Sequence, residues 1–138
     1  MENREISEKY AEIGQRLIRR DKLLRGIRDS DVRIVYLSSD HEKKSKGRII
    51  CGECEKIPDK YKWCIPYDFS ITVFEPNVER FDDRQLRILL LHELLHVGIE
   101  LDGNEEIYFV KPHEIEDFRA ILRRYGKDWA AYDKAGKT

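Results

Sequence analysis

Apolar residues Ile6, Tyr10, Ile13, Leu17 and Leu24 recur at helical spacing with Lys and Arg between them, which predicts an amphipathic N-terminal helix of about five turns ending near Gly26. Val32 to Leu37 is β-branched and aromatic and reads as a first strand. The polar stretch Ser38 to Lys46 reads as a surface loop. A second strand is expected around Gly47 to Ile57 and a third from Asp68 to Phe74, separated by the turn at Pro58-Asp59-Lys60 and the break at Pro66. The longest apolar block follows Pro76-Asn77. Asp82 and Gln85 can form a capping box, so a helix is expected from about Asp83 to Leu101, stopped by Asp102-Gly103. It is apolar nearly all round and so belongs in the centre of the domain. Glu105 to Val110 reads as a short edge strand. Pro112 then suits a first helical position, with Ile115, Phe118, Leu122 and Tyr125 as one stripe until Gly126.

These elements predict a single α+β domain over residues 1–126, with a three- or four-stranded mixed sheet, a central helix and a following helix. Residues 127–138 read as a tail that Trp129 and Tyr132 could pin. At 138 residues a chain can bury roughly two-thirds of its unfolded surface without a disulfide framework. A charged fraction of 38% leaves no run near the ~18 apolar residues of a membrane-spanning helix.

The 26 basic and 27 acidic side chains nearly cancel, so no global field selects nucleic acid or an anionic membrane. Residues 1–48 carry 13 basic and 9 acidic groups, a net of +4; the remainder carry 13 and 18, a net of −5. Three cysteines cannot pair completely, and the N-terminus lacks the basic and apolar regions of a signal peptide. A reducing cytoplasm is the expected location.

The chemistry concentrates in His92-Glu93-Leu94-Leu95-His96. Two imidazoles four residues apart on a helix share a face and can close on one zinc ion at roughly 2.0–2.1 Å each. Glu93 is rotated away from that shell but can reach a water on the ion, whose pKa zinc lowers toward ~7. It is therefore the candidate general base, and the acid that returns the proton to the leaving amine. Polar groups in so apolar a helix would cost on the order of 1–3 kcal/mol each without partners, which a metal relieves. A catalytic zinc needs a third protein ligand and an open position. His113 is the candidate, with Glu116 or Asp117 orienting it or taking its place.

Other signals are weaker. Tyr108, Tyr125 and the third strand's backbone are candidate oxyanion donors. If that strand is a sheet edge, Thr72, Val73, Phe74 and Glu75 would bind a peptide through main chain. Cys51, Cys54 and Cys64, with His41 nearby, hold the ingredients of a second, structural zinc site, but a single CxxC among apparent strands reads better as reduced thiols. Arg16, Arg19, Arg20, Lys22, Arg25 and Arg28, with Lys43, Lys44 and Lys46, could track a phosphate backbone or form a solvated face.

Several blocks together are similar to a known family: Lys60-Tyr61-Lys62-Trp63, Pro66-Tyr67-Asp68-Phe69, Phe74-Glu75-Pro76-Asn77, His92 to His96, Asp102-Gly103, Val110 to Phe118 and Tyr125-Gly126. Over about residues 30–129 the chain resembles the putative phage metallopeptidases, small zincin-like proteins of bacteriophages and prophages. The resemblance implies a zinc-dependent peptidase acting on peptides or proteins and leaves the substrate open. A more distant similarity to SprT-like proteases, where a later histidine completes the site, agrees with His113. The four-cysteine ribbon common there is missing, which sets a DNA-repair role aside. The expected function is thus zinc-dependent peptide hydrolysis. The alternatives are a non-catalytic zinc-stabilised module docking nucleic acid or a host protein through the basic first helix, or a hydrolase of another amide such as a cell-wall linkage.

Overall fold

The computed structural model describes residues 1–113, 119–126 and 129, and the alternation of side chains along the strands decides which face of its sheet is covered. In chain order the elements are β1 (Arg4–Ile6), α1 (Glu8–Arg20), α2 (Arg25–Arg28), β2 (Ile34–Ser39), β3 (Lys44–Ser45), β4 (Arg48–Ile49), β5 (Gly52–Lys56), β6 (Phe69–Phe74), α3 (Asp83–Leu94), β7 (Val97–Asp102), β8 (Glu105–Val110) and α4 (Arg119–Tyr125). The architecture is α+β. The main sheet has the order β1-β2-β6-β5. Its β1/β2 and β6/β5 pairs are antiparallel and its β2/β6 pair parallel, so the sheet is mixed. β3/β4 and β7/β8 are separate two-stranded hairpins.

Phe69, Ile71 and Val73 of β6 project into the core, where Leu86, Leu89, Leu90, Leu91 and Leu94 of α3 meet Tyr10, Ile18, Leu24 and Ile27. Each such side chain contributes roughly 1.5–3 kcal/mol on burial, and α3 is enclosed as its apolar circumference requires. Thr72 and Phe74, on the opposite face of β6, are also fully buried. Arg4 covers them: its guanidinium donates to Thr72 Oγ1 at 3.1 Å and stands 5.6 Å over the Phe74 ring. Lys43 flanks the same ring at 5.4 Å.

Three expectations are corrected. The N-terminal helix is not continuous from Ile6. Ile6 belongs to β1, Ser7 caps α1 by accepting from Tyr10 N, and Asp21 breaks the helix in extended geometry before a short 3-10 turn and α2. Asp21 is held there because its carboxylate accepts from Leu23 N and from Arg124 of α4, at 3.0 and 2.7 Å. The capping box forms as expected, but α3 ends at Leu94 rather than Leu101. Val97 to Asp102 pairs in six-residue register with Glu105 to Val110. Gly98 explains the switch: a Cβ there would lie 2.5 Å from the Phe109 ring, so the aromatic seals the hairpin over a residue that disfavours helix. Pro112 does not open a helix either; residues 111–113 are irregular, and α4 is described only from Arg119. No helix among the described residues is long and apolar enough to cross a membrane.

Candidate metal centre

His92 lies in the last turn of α3, and His96 lies just past its end, where His96 N still donates to Glu93 O at 3.1 Å. That extra turn keeps the two rings one above the other, with centroids 5.2 Å apart. The β7/β8 hairpin returns the chain to the same place. Lys111 N donates to His96 O at 2.7 Å, and His96 Nδ1 donates to Lys111 O at 2.6 Å. The second bond commits Nδ1 and leaves Nε2 of His96 for a ligand, the role carbonyls play behind metal-binding imidazoles. His113, two residues on, is exposed and brings its Nε2 to 2.9 Å from Nε2 of His92. Its ring centroid is 4.5 Å from that of His96.

One nitrogen from each of the three histidines thus falls within 4.8 Å of the others, and this trio is the group among the described residues that could hold a metal ion. The donor set fits one. Tetrahedral zinc bonds of ~2.0–2.1 Å need nitrogens a little over ~3 Å apart, and three neutral imidazoles with an open fourth position suit zinc or another late divalent metal.

Glu93 faces the sheet. It is 3% exposed, and its Oε2 lies 4.0 Å from His92 Nε2. Against it stands Gly52 of β5, where a Cβ would meet Thr72 O at 3.2 Å and Glu93 Oε2 at 3.3 Å. The strand therefore carries a glycine where the carboxylate needs room. Cys51 and Cys54 flank that glycine. Burial, and then the Glu93 charge, push the Cys51 thiol up to about 11. Burial followed by Glu93 and Glu55 push Cys54 up as well. Both are held as thiols rather than thiolates. Cys64 is exposed on the loop between β5 and β6, where its Sγ donates to Tyr61 O. The cysteines do not converge on a second metal position among the described residues.

The other candidates fall elsewhere. β6 is interior to the sheet, with Thr72, Val73 and Phe74 fully buried, so it is not the edge that a peptide could join; Glu75 accepts from Tyr10 Oη. The sheet's edges among the described strands are β1 and β5, and β5 is the one that meets Glu93 through Gly52. Tyr108 packs edge-to-face against Phe69 and donates from Oη to Glu106 at 2.6 Å; burial and then Glu106 raise its phenol pKa. It sits three residues up β8 from the His96–Lys111 bonds, roughly 10 Å. Tyr125 lies between Arg84 and Arg124, and Arg84 is eight helical residues from His92, about 12 Å. The partners described for the two tyrosines are these groups and not the histidines. Glu116 and Asp117 lie outside the described residues. The arginines of α1 and α2 are exposed, but Lys43 is bound to Glu53 and Phe74 on the sheet's other face, so the basic residues do not form one track. Gly52, the Lys111 carbonyl and Trp129 were not anticipated as parts of the site. The Trp129 ring lies 6.5 Å from that of His92, and its carbonyl accepts from Gln85. A glycine inside a strand was the readable signal for Gly52.

No curated protein and no solved structure matches the chain. A family model does match, over residues 2–135, and its description is "putative phage metallopeptidase". With a three-histidine cluster beside a buried glutamate and a match over nearly its whole length, the chain belongs to the phage metallopeptidase family.

Proposed function

We propose that the protein is a zincin-like zinc peptidase in which His92, His96 and His113 hold the ion and Glu93 is general base and acid. The observation that carries this reading is the convergence of three imidazole nitrogens within 4.8 Å next to a carboxylate buried to 3% exposure. When bound, a divalent ion supplies Lewis acidity to the scissile carbonyl and lowers the pKa of water. Glu93 Oε2, wedged between α3 and Gly52, is positioned to accept a proton from that water and hand it to the departing amine nitrogen. His96, fixed by Lys111 O, keeps its remaining nitrogen in one orientation. The substrate peptide lies along the free edge of β5, paired through main chain, which brings its carbonyls past Glu93. A reducing cytoplasm belongs to the same reading, on the strength of the odd cysteine count.

Glu93→Gln tests it. The variant should keep one equivalent of zinc by elemental analysis and lose about 10²–10⁴-fold in cleavage of an unfolded protein such as casein. Undiminished cleavage by this variant, or a wild-type protein that binds no metal, overturns the proposal.

A further inference from the structure

The loop from β5 to β6 holds Trp63 at 85% exposure with Tyr61 beside it at 42%. It is a braced loop. Tyr61 N and Lys62 N donate to Pro58 O and Asp59 O, and Cys64 N and Ile65 N both donate to Tyr61 O, all within 3.1 Å. Lys62 is tied to Asp68 at 3.3 Å and lies 5.3 Å over the Tyr108 ring of β8, which draws the loop toward the face of the sheet that carries α3 and the histidines. A large aromatic side chain held in water by so firm a turn adds little to the packing of the described residues, and rigid aromatics of this kind dominate binding surfaces.

Its place just beyond the edge strand β5 gives it a role. β5 starts at Gly52, against Glu93, and its five residues run about 13 Å from end to end, toward this loop. We infer that Trp63 is a specificity-determining residue: it grips a large apolar side chain of the substrate peptide on the amino-terminal side of the cut. The side follows from strand direction. Antiparallel pairing is the more stable kind, and a peptide antiparallel to β5 sends its amino-terminal half toward Lys56 and the loop. Spacing puts the gripped residue four to six positions before the scissile bond. This inference rests on the peptidase reading above.

The test is cleavage-site profiling of a proteome-derived peptide library by the zinc-loaded protein, with Glu93→Gln as blank. Wild type should enrich aromatic and large aliphatic residues at those positions. Trp63→Ala should flatten the enrichment and raise KM for the enriched peptides about tenfold, with kcat moved far less, and Trp63→Phe should restore both. An unchanged profile in Trp63→Ala, or no enrichment in wild type, overturns the inference and leaves the peptidase reading standing. Absence of any Glu93-dependent cleavage overturns both. Trp63 emission, read in Trp129→Phe, should shift blue with an enriched peptide bound to the Glu93→Gln protein; a response to oligothymidylate instead makes the loop a base-stacking platform and overturns the inference.

Discussion

Gly52→Ala probes a point where the sheet meets the proposed base. The added Cβ would sit 3.2 Å from Thr72 O, 3.3 Å from Glu93 Oε2 and 3.4 Å from Glu93 Cγ. Ordinary contact lies a few tenths of an ångström further out, and Thr72 O belongs to the central strand and cannot retreat. The displacement therefore falls on Glu93, which at 3% exposure has little space to turn into. Overpacking by one methyl costs about 1 kcal/mol at such a site, and for 138 residues 1 kcal/mol is roughly 3–4 °C in Tm. Misplacement of a catalytic group by a fraction of an ångström is worth more in rate, on the order of tenfold and up to 10²-fold. The histidines are untouched by this change. Thermal unfolding, zinc stoichiometry and casein cleavage on one preparation should show a fall of a few degrees, an unaltered equivalent of metal, and a kcat reduced at least tenfold. Full activity at lowered Tm would refute the claim that contact with β5 fixes the carboxylate. Loss of zinc would mean the perturbation travels through α3 to His92.

Asp21→Asn separates the cap from the ion pair, because asparagine still accepts from Leu23 N but no longer pairs with Arg124 as a charge. Although burial opposes it, the bonds from Arg124 and Leu23 hold the Asp21 carboxyl below its ordinary range. That stability is present above the unfolded carboxylate pKa and lost as pH falls through the folded value, so the variant should be weaker by about 0.5 kcal/mol at pH 7 and equal to wild type in the most acid unfolding series. A constant difference across pH contradicts the assignment. If the histidines hold zinc in the folded chain as proposed, chelation should lower Tm by an amount that grows with the free zinc replaced; a Tm indifferent to zinc rules out the histidine site. Gly98→Ala must displace the Phe109 ring, 2.5 Å from the new methyl. A loss of about 1–3 kcal/mol in chemical denaturation is expected, and a neutral outcome would show the hairpin to be more plastic than its packing implies.

The central apolar helix, its capping box, the third strand and the His-Glu-x-x-His spacing were legible because each is local: a run of residues carries its own periodicity or cap. The end of α3 was not, because Val97 and Ile99 continue an apolar helical pattern, and only pairing with residues 105–110 turns them into a strand. Propensity yielded there to tertiary contact, and Gly98 was the sole local warning. The edge of the sheet failed for a similar reason. Strand order is set by which strands pair across long separations, and nothing in the residues of β6 records that β5 covers one side of it and β2 the other. Cys51-Gly52-Glu53-Cys54 read as a weak metal motif because cysteine draws attention, whereas the informative residue of the four is the glycine.

The hairpin that escaped the sequence pattern is also what brings the third histidine to the other two. His92 and His96 are one helical turn apart, but His113 lies seventeen residues beyond His96, and holding a free loop of that length at a fixed point costs closure entropy. Six paired residues of β7 and β8, closed by the Lys111–His96 bonds, meet that cost with backbone hydrogen bonds before any ligand arrives. If the three histidines hold an ion as proposed, the hairpin carries part of the work of bringing them together, and a change in the hairpin should be felt at the cluster although it touches none of its rings. Helix, turn and hairpin form one unit, in which the apolar residues after Leu95 bring the histidine cluster together by leaving the helix instead of extending it.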